Sequence, residues 1–327
     1  MADSRFDVLG IGNAIVDVLA KADDGFLAAQ ELPKGSMTLI DAARAEALYA
    51  DMGPGREMSG GSAANTMAGI ASLGGKGAFI GKVRDDQLGA IFRHDIRAVG
   101  TDFSTPPATS GAPTARCLIF VTSDAQRTMG TYLGACVTLG PEDIDADLVA
   151  GAKVTYLEGY LWDPPKAKEA FVKAAEIAHE AGREVALSLS DPFCVDRHRA
   201  EFRDLVDGHV DLLFANEVEI CSLFEVESFD DAVAALRGLC KTAVLTRSAD
   251  GAVILEGSET VAVEAEPVDK VVDTTGAGDL FAAGYLYGYT QGKEPATCGR
   301  YAAIAAAEVI SHYGARPESA LAKLVRG

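Results

Sequence analysis

The chain has 327 residues, 48% of them apolar and 24% charged, with a formal net charge of −19 at neutral pH. That length and apolar content support one large core with a small appendage, or two modest domains, and exclude a disordered chain. The acidic balance excludes non-specific nucleic-acid binding, which needs clustered Lys and Arg to displace counterions, and leaves small molecules as the expected partners.

Short β-branched runs alternate with helical patterns along most of the chain. In order, core strands are expected at 8–11, 78–83, 154–157, 185–189, 212–214, 243–246 and 253–255. Helices are expected at 62–73, 87–99, 166–181, 230–239, 280–291 and 296–311. This alternation predicts an α/β fold with a doubly wound, mostly parallel sheet flanked by helices. Two stretches break the rhythm. Runs at 16–20 and 36–40 read as half-exposed strands, and 117–122 and 127–133 flank a turn at Ser123-Asp124-Ala125-Gln126. Four strands with no helices between them do not belong in the large sheet. They predict a small discontinuous β-sheet lid from 14–58 and 111–134, over a core of 1–13, 59–110 and 135–327.

The six cysteines, Cys117, Cys136, Cys194, Cys221, Cys240 and Cys298, form no C-x-x-C pair, and no His lies at metal-ligand spacing from one. They read as free thiols of a reducing compartment. The acidic amino terminus lacks a basic leader, and no apolar run reaches the ~20 residues of a spanning helix. A cytoplasmic location with no membrane partner is therefore expected.

Polar residues close several strands: Asn216 after 212–214, Thr246 at the end of 243–246, and Ser190 with Asp191 after 185–189. One such residue is usually a helix cap or turn former. Several on one rim point to the ligand side of an open α/β sheet, outside the carboxyl ends of the strands.

The most informative segment is Asp273-Thr-Thr-Gly-Ala-Gly-Asp279, followed by an apolar helix. Gly276 and Gly278 let the backbone bend tightly. Their N–H groups, with those of Ala277 and Asp279, make an anion cradle at a helix start that can hold a phosphoryl group without a lysine. A first-turn Asp ordinarily serves only the helix dipole. Directly after a Gly-Ala-Gly cradle, Asp279 is the candidate base for an attacking hydroxyl. No G-x-x-x-x-G-K-[ST] segment occurs, which excludes a Walker-type site. Gly10-Ile11-Gly12 lacks the third glycine of a dinucleotide fingerprint, that position being Ile15.

The 273–279 segment with the following Leu-Phe-Ala-Ala-Gly resembles the carboxy-terminal signature of the ribokinase-like (PfkB) carbohydrate and nucleoside kinases. Gly60-Gly61-Ser62-Ala63-Ala64-Asn65 and the Asn216-Glu217-Val218-Glu219 match to N-x-x-E extend the resemblance over nearly the whole chain. It implies an α/β core with a small β lid and use of ATP. It gives Asp279 the role of base and Gly276, Ala277 and Gly278 that of anion hole. Asn216 and Glu219 would organise Mg²⁺ through water, although the same pair also reads as a metal-free capping box. Thr246, Ser248, Gly251 and Thr275 would meet the nucleotide, with Ser248 standing where many members have glycine. Asp273 and Thr275 lie in the loop that holds a monovalent cation such as K⁺ in some members.

For the acceptor, the resemblance assigns Asn13, Asp17, Gly61, Ser62 and Asn65 to a sugar. Leu187-Ser-Leu-Ser-Asp-Pro-Phe193, Leu213-Phe-Ala-Asn-Glu217 and the lid strand starting at Arg127 are similar to stretches of adenosine kinases. Met37, Met129 and Thr131 would line a slot for the base, and Arg127 would reach the phosphate. The expectation is phosphorylation of the ribose 5′-hydroxyl of adenosine. A free-sugar kinase acting on ribose or a ketohexose, or a silent nucleoside-binding protein, are the alternatives. Both a monomer and a homodimer stay open.

Overall fold

Runs such as 8–11 and 154–157 are almost wholly apolar, the mark of strands covered on both faces. In the computed structural model, which describes residues 4–124 and 126–326, they lie at the centre of an eight-stranded sheet. The strands are β1 (Phe6–Ile11), β2 (Ile15–Lys21), β3 (Met37–Leu39), β4 (Gly55–Gly60), β5 (Gly77–Ile80), β6 (Ala115–Val121), β7 (Arg127–Tyr132), β8 (Ala152–Glu158), β9 (Glu184–Ser188), β10 (Leu212–Asn216), β11 (Thr242–Thr246), β12 (Ala252–Glu256) and β13 (Glu259–Val263). The helices are α1 (Asp24–Ala29), α2 (Ala42–Asp51), α3 (Ser62–Ser72), α4 (Gln87–Ala98), α5 (Ala146–Ala150), α6 (Pro165–Glu180), α7 (Pro192–His209), α8 (Glu217–Phe224), α9 (Phe229–Leu236), α10 (Ala277–Thr290), α11 (Pro295–Ile310) and α12 (Leu321–Leu324). The turn expected at 123–126 includes Ala125, and the amino-terminal stretch includes residues 1–3; these lie outside the described residues.

The large sheet runs β13-β12-β11-β10-β9-β8-β1-β5, parallel from β11 through β5 and antiparallel at β12 and β13. One face buries α3, α4, α10 and α11 around Phe79, Phe92 and Leu286. The other buries α6, α7 and α9 around Phe171, Phe202 and Leu236. The doubly wound architecture stands as expected.

The second sheet has five strands in the order β3-β7-β6-β2-β4, not the four read from the sequence. Its register sets Asp17 beside Cys117, Cys117 beside Thr131 and Thr131 beside Leu39. Two residues along, Leu19, Ile119, Met129 and Met37 form the next row. Because strand side chains alternate with period 2, all of these share one face with Arg127. The opposite face, including Val18, Leu118 and Phe120, packs on Leu27 and Leu48 of α1 and α2.

Those two helices correct the expectation of a helix-free lid. They escaped notice because each buries little: Leu27 alone in α1, and Ala45 with Leu48 in α2. Their caps were legible, Asp23 accepting from the Phe26 N–H and Asp41 from that of Arg44. β4 was missed because its first half is exposed and carries a glycine, and it runs to Gly60, past the boundary expected at 58. The edge strand β13 is largely exposed. Among the described residues, no helix is long and apolar enough to cross a membrane.

Candidate active site

α3 is built from small residues, Ser-Ala-Ala-Asn-Thr-Met-Ala-Gly-Ile-Ala-Ser, and this decides how closely it lies to α10. A β-carbon at Gly69 would overlap Ala283 and Leu280, so only glycine allows that approach. The approach brings the start of α3 onto Asp279. Ser62 Oγ donates to Asp279 Oδ1 at 2.6 Å, and Asn65 Nδ2 donates to Oδ2 at 2.9 Å. Burial pushes the Asp279 carboxyl above its ordinary value, against the pull of those two donors and of Arg316.

Gly276 caps α10 in the left-handed region, with φ 75°. The N–H groups of Gly278 and Asp279 have no acceptor among the described residues, as first-turn amides should. Ala277 departs from expectation: its N–H closes a turn on the Thr274 carbonyl at 3.2 Å, which leaves the cradle to its neighbours.

The loop before the cradle is fully engaged. Asp273 Oδ1 accepts from the Thr275 N–H and hydroxyl at 2.9 and 2.7 Å, and Oδ2 accepts from the Gly314 N–H at 3.0 Å. Arg127 Nε of the lid pairs with Asp273 Oδ1 at 2.8 Å. The positive charge beside Asp273 is thus a guanidinium, and Thr275 turns inward to Asp273, so the structure gives the monovalent-cation reading no support. Arg127 reaches the loop before the cradle, and its Nη1 is buried without a partner among the described residues.

The acceptor residues converge as well. Asn13 Nδ2 donates to Glu158 Oε1 at 2.7 Å, and the Ala63 N–H donates to Glu158 Oε2 at 2.8 Å. Asp17 lies directly over Gly60, where a β-carbon would overlap its carboxylate. Burial raises the Asp17 carboxyl to about 7, with Arg316 and Arg127 pulling it down and Asp279 pushing it up. The buried carbonyl oxygens Asn13 Oδ1 and Asn65 Oδ1 have no donor. Orphaned buried acceptors are rare in native proteins and mark the place of a ligand or ordered water. Met37 and Leu39 on the cleft-facing side of the lid are 48% and 60% exposed, next to Met129. Thr131 is buried, its hydroxyl against Cys117 Sγ at 3.2 Å.

At the far end of the rim, Asn216 and Glu219 form a complete capping box. Glu219 Oε2 accepts from the Asn216 N–H at 2.9 Å, Oε1 from Asn216 Nδ2 at 2.6 Å, and Asn216 Oδ1 from the Glu219 N–H at 2.9 Å. Burial still lifts the Glu219 carboxyl to about 7. A cation nearby would relieve that penalty, so the pair fits a water-linked divalent ion. No cluster of three or more metal-ligating side chains exists among the described residues. Thr246 ends β11 beside Asn216, and Ser248 adopts φ 52°, keeping the left-handed backbone a glycine would give. Gly251 has φ 79°, and a β-carbon there would overlap the Val263 carbonyl oxygen.

Two residues of the cleft were not anticipated. Glu158 closes β8 on the rim that had drawn attention to Asn216 and Thr246, so the same rule reaches it. Arg316 sits in the loop after α11 with no local motif around it, and only the folded chain brings it to the cleft.

A model of the pfkB family carbohydrate kinases matches residues 38–321. The chain belongs to this family. Adenosine kinase of Saccharomyces cerevisiae is 27% identical over 307 residues, spanning 87% of this chain and 88% of its own. Among solved structures, adenosine kinase from Sinorhizobium meliloti is 56% identical, with TM-score 0.92 and 99% of each chain covered. A probable sugar kinase from Rhizobium etli CFN 42 is 55% identical, with TM-score 0.92, covering 99% of this chain and 98% of its own. As a pfkB-family kinase, the chain is a phosphotransferase with an alcohol acceptor, a nucleoside or sugar, and ATP as donor.

One consequence for this kinase concerns pH. Burial raises Glu158, which is 1% exposed, from 4.5 to about 7. The native state therefore keeps a proton that the unfolded chain gives up. The associated stability is present below about pH 4.5 and is lost as pH rises through 7. Glu158→Gln is expected to reduce the fall in unfolding free energy between pH 5 and 8.5 by about 2–3 kcal/mol. Denaturant titrations at the two pH values measure this, and equal slopes for both proteins would refute it.

Proposed function

We propose that this kinase transfers the γ-phosphoryl group of ATP to the ribose 5′-hydroxyl of adenosine in one in-line displacement. The observation that supports it most directly is the Asp279 carboxylate, held by α3 on one side and adjoining the open first-turn amides of α10 on the other. The acceptor hydroxyl gives its proton to Asp279 while its oxygen forms the new bond to phosphorus. The bond from that phosphorus to the β–γ bridging oxygen breaks, and ADP leaves with the electron pair. The N–H groups of Gly276, Gly278 and Asp279 receive the charge on the transferring oxygens. Asn216 and Glu219 would hold Mg²⁺ through water, and the bound ion supplies positive charge against the phosphates. Thr246, Ser248 and Gly251 would line the rest of the nucleotide path.

For the acceptor, Asp17, Gly61 and the free Oδ1 atoms of Asn13 and Asn65 suit the hydroxyls of a ribose. The apolar patch of exposed Met37 and Leu39 and half-buried Met129, with Thr131, suits a purine face. The near-complete match to an adenosine kinase at 56% identity supports adenosine as the acceptor. The free state of all six cysteines agrees with a cytoplasmic enzyme.

A panel of adenosine, inosine, guanosine, cytidine, ribose and fructose at saturating ATP tests the reading. Adenosine is expected to turn over fastest and to raise the melting temperature where ribose does not. Turnover of ribose or fructose with none of adenosine would overturn it.

A further inference from the structure

The loop 311–316 packs against the phosphate loop, with Ala315 filling the space in front of Gly276. The next residue sends its side chain across the floor of the cleft. Arg316 Nη2 donates to the Ser59 carbonyl at 2.8 Å and to Ser59 Oγ at 3.0 Å, at the end of lid strand β4. Asp95 Oδ2 anchors Ser59 from behind, accepting from its N–H at 2.8 Å and its hydroxyl at 2.5 Å. This fixes Nη2. The other donors, Nε and Nη1, point to opposite sides of the guanidinium, and both are buried with no acceptor among the described residues. Asp17 and Asp279 are close enough to act on Arg316 by charge, yet neither closes an ion pair with it.

A carboxylate and a guanidinium that face one space without touching leave room for a group that is donor and acceptor at once. A sugar hydroxyl is such a group. We propose that Arg316 is an acceptor-binding residue: one of its two unpartnered donors, Nε or Nη1, donates to the oxygen of a sugar-diol hydroxyl whose proton goes to Asp17. The inference rests on the reading of this cleft as the acceptor site and adds to it the residue that reads the diol from below. Buried donors without partners are expensive, and a charged donor left unpaired more so, which makes the empty cleft selective for a ligand that supplies the oxygen. Burial pulls the guanidinium down to about 10, against Asp95, Asp17 and Asp279, in keeping with a group that lacks a full set of partners.

Calorimetric titration of the full chain without ATP tests this, using adenosine, 2′-deoxyadenosine and 3′-deoxyadenosine. Arg316→Met is expected to weaken adenosine about 10- to 100-fold, as for the loss of charged hydrogen bonds. For the analogue that lacks the hydroxyl in question, the same substitution changes affinity less than about threefold. A residue that merely supports the fold would weaken all three alike, and that result, or no loss at all, overturns the proposal. Should Arg316→Met fail to fold, Arg316→Lys, which keeps one donor, is judged by the same difference between ligands. If the wild-type chain binds ribose and not adenosine, the base assignment fails while Arg316 is judged on ribose against 2-deoxyribose.

Discussion

Asp279→Asn is expected to lower kcat by about 10²- to 10⁴-fold, the usual worth of a positioned general base, with acceptor affinity changed less than about threefold. Asparagine is the informative choice because it keeps the shape that Ser62 and Asn65 grip. Alanine would strand both donors and confuse catalysis with misfolding. The wild-type rate should also carry the mark of the raised carboxyl. Transfer needs the ionised form, so kcat falls as pH drops through a value above the ordinary 3.8 of an aspartate. That acidic limb should vanish with Asp279→Asn. Single-turnover rates with a calorimetric affinity separate the two effects, and a variant within tenfold of wild type would remove Asp279 from the chemistry.

Gly61→Ala should be among the most damaging small changes in the molecule. Gly61 caps α3 with φ 96° and ψ 140°, a region essentially closed to other residues. A β-carbon there would also overlap the Asn13 carbonyl oxygen, which is backbone and cannot step aside. Strain and overlap together should cost about 3 kcal/mol of stability or more, and roughly 4 °C in melting temperature. The relaxation moves Asn13 away from α3, and with it the position of Ser62 and Asn65 under Asp279. Thermal unfolding and kcat/KM should therefore fall together. An unchanged melting temperature would show that the entry to α3 is not strained as described.

How far the sequence foretold this depended on how much each element buries. Nearly apolar runs such as 154–157 read as strands covered on both faces, and the Gly-Ala-Gly-Asp start of α10 announces itself locally. α2 shows the opposite case, since two buried side chains in ten residues make no stripe to count. α7 was invisible for a related reason. Its first turns, Pro-Phe-Cys-Val-Asp-Arg-His-Arg, are apolar then polar with no helical repeat, and His198 leaves helical angles at φ −126° and ψ 22°, which breaks the apolar period. At the site, partners close in sequence were readable, as in the capping of Asn216 by Glu219 three residues on. Partners joined only by folding were not. Ser62 and Asp279 are 217 residues apart and Arg316 and Ser59 are 257 apart, so no local pattern could announce either pair. The single Ala277 amide was misjudged because motif reading counts N–H groups without asking which of them close turns.

The Arg127–Asp273 pair means that the small sheet and the core already share a counter-charge before any nucleotide arrives. In a chain of net charge −19, that guanidinium is a cation held in reserve. A triphosphate offers it a denser anion than one carboxylate does, and Asp273 keeps Thr275 and Gly314 as donors when the exchange is made. On the proposed reading, loading of the donor and closure over the acceptor would be coupled through this one transferable charge.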